Sequence, residues 1–282
     1  MQTLLFQKLP LPKIQMQLVR AFSDQPQGGN PAGVICVTDF PADTTLQQLA
    51  FLSAQPVTAM LAPAAGGYQI RWFTPQQEIN LCGHGSLAAA AVLFQRQPEL
   101  SQLQFFSPFG DIQVRKNTGG FSMCLPIFEL STLAVAELPW TVTQGVAVAA
   151  ATGRDLILEV ATKQQVLDYQ PDVEAIRQLP WHALLVTAGE VNTDMPGYWL
   201  RYFAPSIGID EDPATGSAHC SLLPYWQAQY PEQIGAWQAE QCSTEGGRFL
   251  LRRVGQQLEL TSQALVLDDV ELVLSNAADL QL

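Results

Sequence analysis

A chain of 282 residues that is 48% hydrophobic and only 14% charged has the material for a packed core and no sign of disorder. Its 14 basic and 26 acidic residues leave a net charge of −12. That argues against nucleic acid or an anionic membrane surface as partner, but not against a small anion bound in a local site. Five cysteines, odd in number and without CxxC spacing, indicate neither a disulfide framework nor a zinc site and point to a reducing cytoplasm.

In chain order, residues 1–14 read as an N-terminal tail, since Pro10 and Pro12 discourage regular structure, and nothing there resembles a secretory signal. No apolar run approaches the ~18 residues of a membrane span. A strand over 15–22 leads to a Gly28-Gly29-Asn30-Pro31 turn and a second strand over 33–37. Asp43 and Thr44 are placed to cap a helix through Ser53. Strands follow at 57–61 and 67–73, then an Ala-rich helix over 83–95. Short strands at 103–106, 111–115 and 121–125 come next, the last two joined by a Gly119-Gly120 turn. The region 127–140, where Leu and Pro alternate, reads as a stiff join. Beyond it the pattern predicts strands at 156–160, 183–186 and 198–203, with a helix over 173–179 and another from Gly216. Strands at 247–254, 257–260 and 263–274 end the chain. Strands outnumber helices without a steady βαβ rhythm, so the fold class is α+β.

One stretch occurs twice. Arg71-Trp72-Phe73-Thr74-Pro75 leads to a tight turn at Cys82-Gly83-His84-Gly85 and a helix. Arg201-Tyr202-Phe203-Ala204-Pro205 leads to Asp212-Pro213-Ala214-Thr215-Gly216-Ser217 and a second helix. Two similar halves, each offering the start of a helix, predict one cleft between them, with His84 on one wall and Asp212 and Ser217 on the other. The halves are drawn as 15–130 and 131–282, with the last strand free to return to the first half.

These residues bring a family into view. Asn30-Pro31-Ala32-Gly33, the block from Arg71 through Gly85, and Glu211-Asp212-Pro213-Ala214-Thr215-Gly216-Ser217-Ala218-His219 together resemble the PhzF-like (phenazine biosynthesis) family, from about residue 15 onward. The resemblance implies a diaminopimelate-epimerase-like fold: two pseudo-symmetric α+β halves, each a curved, mostly antiparallel sheet wrapped around a central helix. It implies homodimers in many members and neither metal nor organic cofactor. The implied activity is an isomerase that moves a proton between ring carbons of a dihydro-hydroxyanthranilate. A glutamate is then the main proton carrier, assisted by a histidine, an aspartate and a serine, which match His84, Asp212 and Ser217. The glutamate does not match: laid without gaps, its position falls on Val57. Valine carries no proton, so a second reading stands beside the first, a degenerate site that binds a small anionic metabolite without turnover.

The residues can also be weighed singly. His84 at a helix start serves as base or donor, or merely closes the turn. Asp212 before Pro213 is placed to cap the second helix, face the cleft, or do both. Thr215, Gly216 and Ser217 offer a carboxylate seat, matched across the cleft by Gly83 and Gly85, with Asn30 lining the site. His219 reads as a packing or rim residue, and Glu78, Asp210 and Glu211 as loop carboxylates that could replace the missing carrier. Cys82 lacks the second cysteine of a thiol racemase and reads as a small buried residue. The expected ligand is a small carboxylate-bearing metabolite, with no metal involved.

Overall fold

The computed structural model describes residues 13–80, 82–146, 148–190 and 193–274. The first half of the chain runs β1 (Lys13–Ala21), β2 (Asn30–Cys36), α1 (Asp43–Ser53), β3 (Thr58–Ala64), β4 (Gly67–Phe73), β5 (Glu78–Ile79), α2 (Gly83–Arg96), β6 (Gln102–Phe106), β7 (Ile112–Asn117), β8 (Gly120–Pro126) and β9 (Leu130–Thr132). The second runs α3 (Trp140–Thr143), β10 (Val148–Thr152), β11 (Asp155–Glu159), α4 (Lys163–Asp168), α5 (Val173–Arg177), β12 (Ala183–Glu190), β13 (Gly197–Phe203), α6 (His219–Gln229), β14 (Trp237–Gln241), β15 (Gly247–Val254), β16 (Gln257–Ser262) and β17 (Ala264–Val273).

Strand pairing carries the repeat further than the sequence does. From β1 through β2, β3, β4, β6 and β7 to β8, neighbours pair antiparallel, parallel, antiparallel, parallel, antiparallel, antiparallel. From β10 through β11, β12, β13, β14 and β15 to β16 the same senses recur in the same order. Each parallel step needs a crossover, and the helices sit there: α1 in one half and α4–α5 in the other, then α2 and α6. The halves then exchange strands. β9 pairs with β10, β17 pairs with β1, and β8 joins β16 antiparallel, so the strands form one continuous sheet.

The main core surrounds α2 and α6. In α2 every residue from Gly85 to Phe94 is buried, as expected of a helix whose Leu and Ala side chains are apolar all round. α6 buries His219 through Trp226 although Pro224 lies inside it. Proline removes an N–H, which frees the carbonyl four residues earlier. That carbonyl, on Cys220, accepts instead from the amide of Phe128 at 2.9 Å, tying the join between the halves to α6. Smaller cores lie beneath α1 (Leu46, Leu49, Met60, Phe73) and beneath α4 and α5 (Val142, Tyr169, Ile176, Phe203).

Some expectations need correcting. Asp43 does not cap α1; Ala42 holds that position, and the Asp43 carboxylate accepts from Arg71 Nη1 at 2.8 Å. Of the expected tail, residues 1–12 lie outside the described residues, while Lys13 and Ile14 belong to β1. Strands β9, β10 and β14 and helices α3 and α4 were not foreseen. β10 is Val-Ala-Ala-Ala-Thr, without alternation. In β14 the third inward residue is Gln241, which hides the period of two.

Candidate active site

The site is built where α2 lies against the turn Gly216–Ala218 that leads into α6. β4 and its short partner β5 deliver the chain to α2, whose first three residues are Gly83, His84 and Gly85. His84 is half-buried, with Nδ1 3.5 Å from Cys82 Sγ. Burial pulls its pKa down to about 4, so the imidazole is neutral at pH 7, and the part of the ring still open to solvent moderates that shift. Cys82 is buried beneath it. Burial pushes its thiol up to about 12, outweighing the nearby amides of Gly85 and His84, and the charge of Asp212 adds to the rise. At neutral pH it is a thiol, not a thiolate.

Gly85 fixes how closely this corner packs. A Cβ there would lie 2.9 Å from Trp72 Cδ1 and 3.3 Å from both Cys82 Sγ and Val57 Cγ1. Val57, 5% exposed, thus stands against the start of α2, one residue ahead of β3, with its carbonyl accepting from the Gly33 amide at 2.9 Å. Trp72 is fully buried, and among the described residues its indole N–H meets no partner.

On the other wall, Asp212 follows the short 3-10 turn Pro205–Ile207, and its amide donates to the Tyr202 carbonyl at 3.0 Å. Asp212 is not a helix cap: the cap position before Gly216 is Thr215. The carboxylate instead accepts from Asn30 Nδ2 on one oxygen at 2.8 Å and from the Thr215 hydroxyl on the other. Asn30, 1% exposed, also donates to the Ala214 carbonyl at 2.8 Å, so a residue of the first half orients an acid of the second. Both hydrogen bonds favour the ionised form, yet burial wins and raises the carboxyl to about 6. Gly216 is required for space, since a Cβ would meet Phe22 Cζ at 2.9 Å. Phe22 reaches that place with a left-handed backbone (φ 67°), a strained state for a bulky residue. Ser217 is half-buried, and its hydroxyl accepts from Arg154 Nη2 at 3.1 Å.

The loop carboxylates are committed elsewhere. Arg71 grips Glu78 through Nε and Nη2 at 2.8 and 2.6 Å, and Arg201 grips Glu211 through the same atoms at 2.8 Å each. Each guanidinium also lies over the phenylalanine of its own repeat, Phe73 or Phe203. Asp210 faces Arg177 at 3.6 Å. His219 is no rim residue. It is fully buried, pairs with Tyr198 Oη at 2.8 Å through Nδ1, and packs 4.2 Å from the Phe249 ring.

Two residues at the site escaped the sequence reading. Gln241 holds the acidic turn from below, donating from Nε2 to the Asp212 carbonyl at 2.6 Å and accepting from the Thr215 amide at 2.7 Å. Arg154 precedes β11 and belongs to no motif. Among the described residues no three His, Cys, Asp or Glu side chains come together to hold a metal, and no helix is long and apolar enough to cross a membrane. The grooves lined by Ile234 and Arg252, and by Trp199 and Gln238, contain none of His84, Asp212 and Ser217.

The family model described as phenazine biosynthesis-like protein (PhzC-PhzF) matches residues 19–262. The chain belongs to that family. An uncharacterised isomerase of Vibrio cholerae is 38% identical over 242 residues, covering 85% of this chain and 84% of that protein. One from Pseudomonas aeruginosa is 35% identical over 257 residues, covering 90% and 96%. The crystal structure of a PhzF-family phenazine biosynthesis protein of Enterococcus faecalis superposes with a TM-score of 0.84 at 29% identity, over 93% of this chain and all of that one. Isomerases and epimerases thus stand among the relatives and structural neighbours of the chain.

Proposed function

We propose that this protein is a cofactor-independent isomerase that moves a proton between carbons of a small unsaturated or cyclic carboxylic acid, in the cleft between halves 15–130 and 131–282, the last strand serving the first. The observation that carries the reading is the pair of titratable groups brought together where α2 meets the turn before α6, both close to Cys82 and driven in opposite directions: Asp212 up to about 6 and His84 down to about 4. At neutral pH both therefore stand in their basic forms, Asp212 as a carboxylate whose proton affinity lies close to the working pH and His84 as a neutral imidazole. Asp212 takes the proton from carbon as a carboxylate. The neutral imidazole of His84 hydrogen-bonds the substrate, and Asp212, now a carboxylic acid, returns the proton to the second carbon and is a carboxylate again. Ser217, Thr215 and Asn30 position the acid and the ligand, while Gly83, Gly85 and Gly216 let backbone approach it. In this reading Asp212 does the work that the family's glutamate would do at Val57. The resemblance carries a homodimer with it, and the five cysteines without CxxC spacing a cytoplasmic location.

Deuterium incorporation tests this. The protein is incubated in D2O with dihydro-hydroxyanthranilate and related small unsaturated acids and followed by NMR. The expected result is exchange whose rate rises with pH through about 6, as Asp212 ionises, and which falls about a hundredfold or more in Asp212→Asn. Exchange that survives this substitution unchanged refutes the assignment.

Val57 itself favours one second reading, a cleft that binds the acid without turnover, because the site then lacks its expected carrier. That reading predicts exchange by Val57→Glu and none by the wild type.

A further inference from the structure

Arg71 and Arg201 are each closed by a carboxylate held through two nitrogens. Arg154 is not. Its side chain is 26% exposed, Nη2 donates to Tyr202 Oη at 2.9 Å and to Ser217 Oγ at 3.1 Å, and Nη1 stands 3.5 Å from the Ser217 carbonyl. All three acceptors are neutral. The carboxylate beside it, Asp155, lies with Oδ1 3.6 Å from Nε, too far for a hydrogen bond. Asp155 is fully buried, its other oxygen takes the Ser221 hydroxyl at 2.6 Å, and burial raises its pKa. Among the described residues the guanidinium's ion pair is this loose one and an Nη1 proton is left beside Ser217, so positive charge stands next to that hydroxyl in a chain of net charge −12. Its field reaches Asp212.

The repeat gives this placement a second support. β2 and β11 occupy matching positions in the two halves. Asn30, the first residue of β2, reaches Asp212 and Ala214, while Arg154, directly ahead of β11, reaches Ser217. Both strand starts deliver a polar side chain to one turn, and only the second brings a charge.

We propose that Arg154, with the Ser217 hydroxyl, pairs with a carboxylate of the substrate and so selects an anion at that end of the cleft. The inference rests on the isomerase reading for the presence of a substrate there. With both Nη2 protons held by Tyr202 and Ser217, the carboxylate would meet an Nη1 N–H beside the Ser217 O–H, a fixed pair of donors that the rotating ammonium of lysine reproduces only in part.

The test is a calorimetric or NMR titration with 3-hydroxyanthranilate and with its neutral carboxamide. The wild type binds the acid about tenfold or more tightly than the amide, and added salt narrows the gap. Arg154→Gln weakens the acid about ten- to a hundredfold and leaves the amide unchanged, and Arg154→Lys restores part of the loss. Melting curves of both variants show that they are folded. The proposal is overturned if Arg154→Gln keeps the preference for the acid, if it weakens both probes equally, or if the folded wild type binds neither. Its failure and that of the isomerase reading separate cleanly. Arg154-dependent binding of the acid without deuterium exchange sinks the isomerase alone, and exchange with an indifferent Arg154→Gln sinks this proposal alone.

Discussion

Replacing Asp212 by asparagine tests the site through stability, without knowledge of the substrate. Burial holds this carboxyl near 6 instead of 3.8, although Asn30 and Thr215 both donate to it. At pH 8 the folded protein thus carries an ionised group at a cost of about 3 kcal/mol relative to the unfolded chain, at about 1.4 kcal/mol per tenfold in proton affinity. Asparagine removes the charge and keeps the shape. It retains an acceptor for Asn30 but turns an amide toward the Thr215 hydroxyl, which must rotate away and forfeits about 1 kcal/mol. Partial solvent access to the carboxylate trims the gain again. The variant is therefore expected to be about 1–2 kcal/mol more stable at pH 8, a rise of about 2–4 °C per kcal/mol in melting temperature.

The sign with pH follows from the folded value lying above the unfolded one. The wild-type penalty is fully present above pH 6 and gone below about 3.8, so the advantage of asparagine shrinks as the pH falls from 8 to 4. Urea melts of both proteins across that range measure it. A variant less stable than wild type at pH 8, or a difference that does not change with pH, would show that Asp212 is not held against its burial. The argument for it as proton carrier would fall with that result.

Other outcomes follow from the same corner of the molecule. Val57→Glu buries a carboxylate against Gly85 and Cys82 at a position 5% exposed, and costs about 1–3 kcal/mol at pH 8 in a urea melt. Cys82→Ser leaves deuterium exchange within about threefold of wild type, because the native thiol is held near 12; a loss above about a hundredfold would place the thiol in the chemistry. Tyr198→Phe strips the fully buried His219 of its hydroxyl partner and costs about 1–3 kcal/mol in the same melt, while a neutral result would show that the imidazole finds water or another partner.

What was legible in the sequence was what side-chain type alone dictates. The doubled Arg-x-Phe-x-Pro block marks matching strands β4 and β13, and the Gly-flanked His84 and Ser217 mark the helix starts that follow. Short strands were illegible because their burial comes from partners far along the chain. β9 has three residues and is a strand by its pairing with β10, whose partner residues lie about 20 positions further on. The raised pKa of Asp212 was likewise invisible, since it arises from burial. Arg154 sits in a turn of ordinary composition, and only its contacts with Ser217 and Tyr202 bring it to the cleft.

The strand exchange explains why those contacts could not be read half by half. β8 of the first half joins β16 of the second, and β17 leaves the second to pair with β1 of the first. The acid follows the same rule: Asp212 belongs to the second half, yet Asn30 of the first orients it, and Phe22 of the first supports Gly216 beside it. The loop carrying Phe22 and Gly29 is sewn to the second half as well, Gly29 N–H to the Gly246 carbonyl at 2.9 Å and Arg248 N–H to the Phe22 carbonyl at 3.2 Å. Neither half alone holds Asp212 with its partners in place. The raised pKa, and whatever proton transfer depends on it, is therefore a property of the docked pair, and loosening the seam at Asn30 would return the carboxyl toward its ordinary value along with the solvent it readmits.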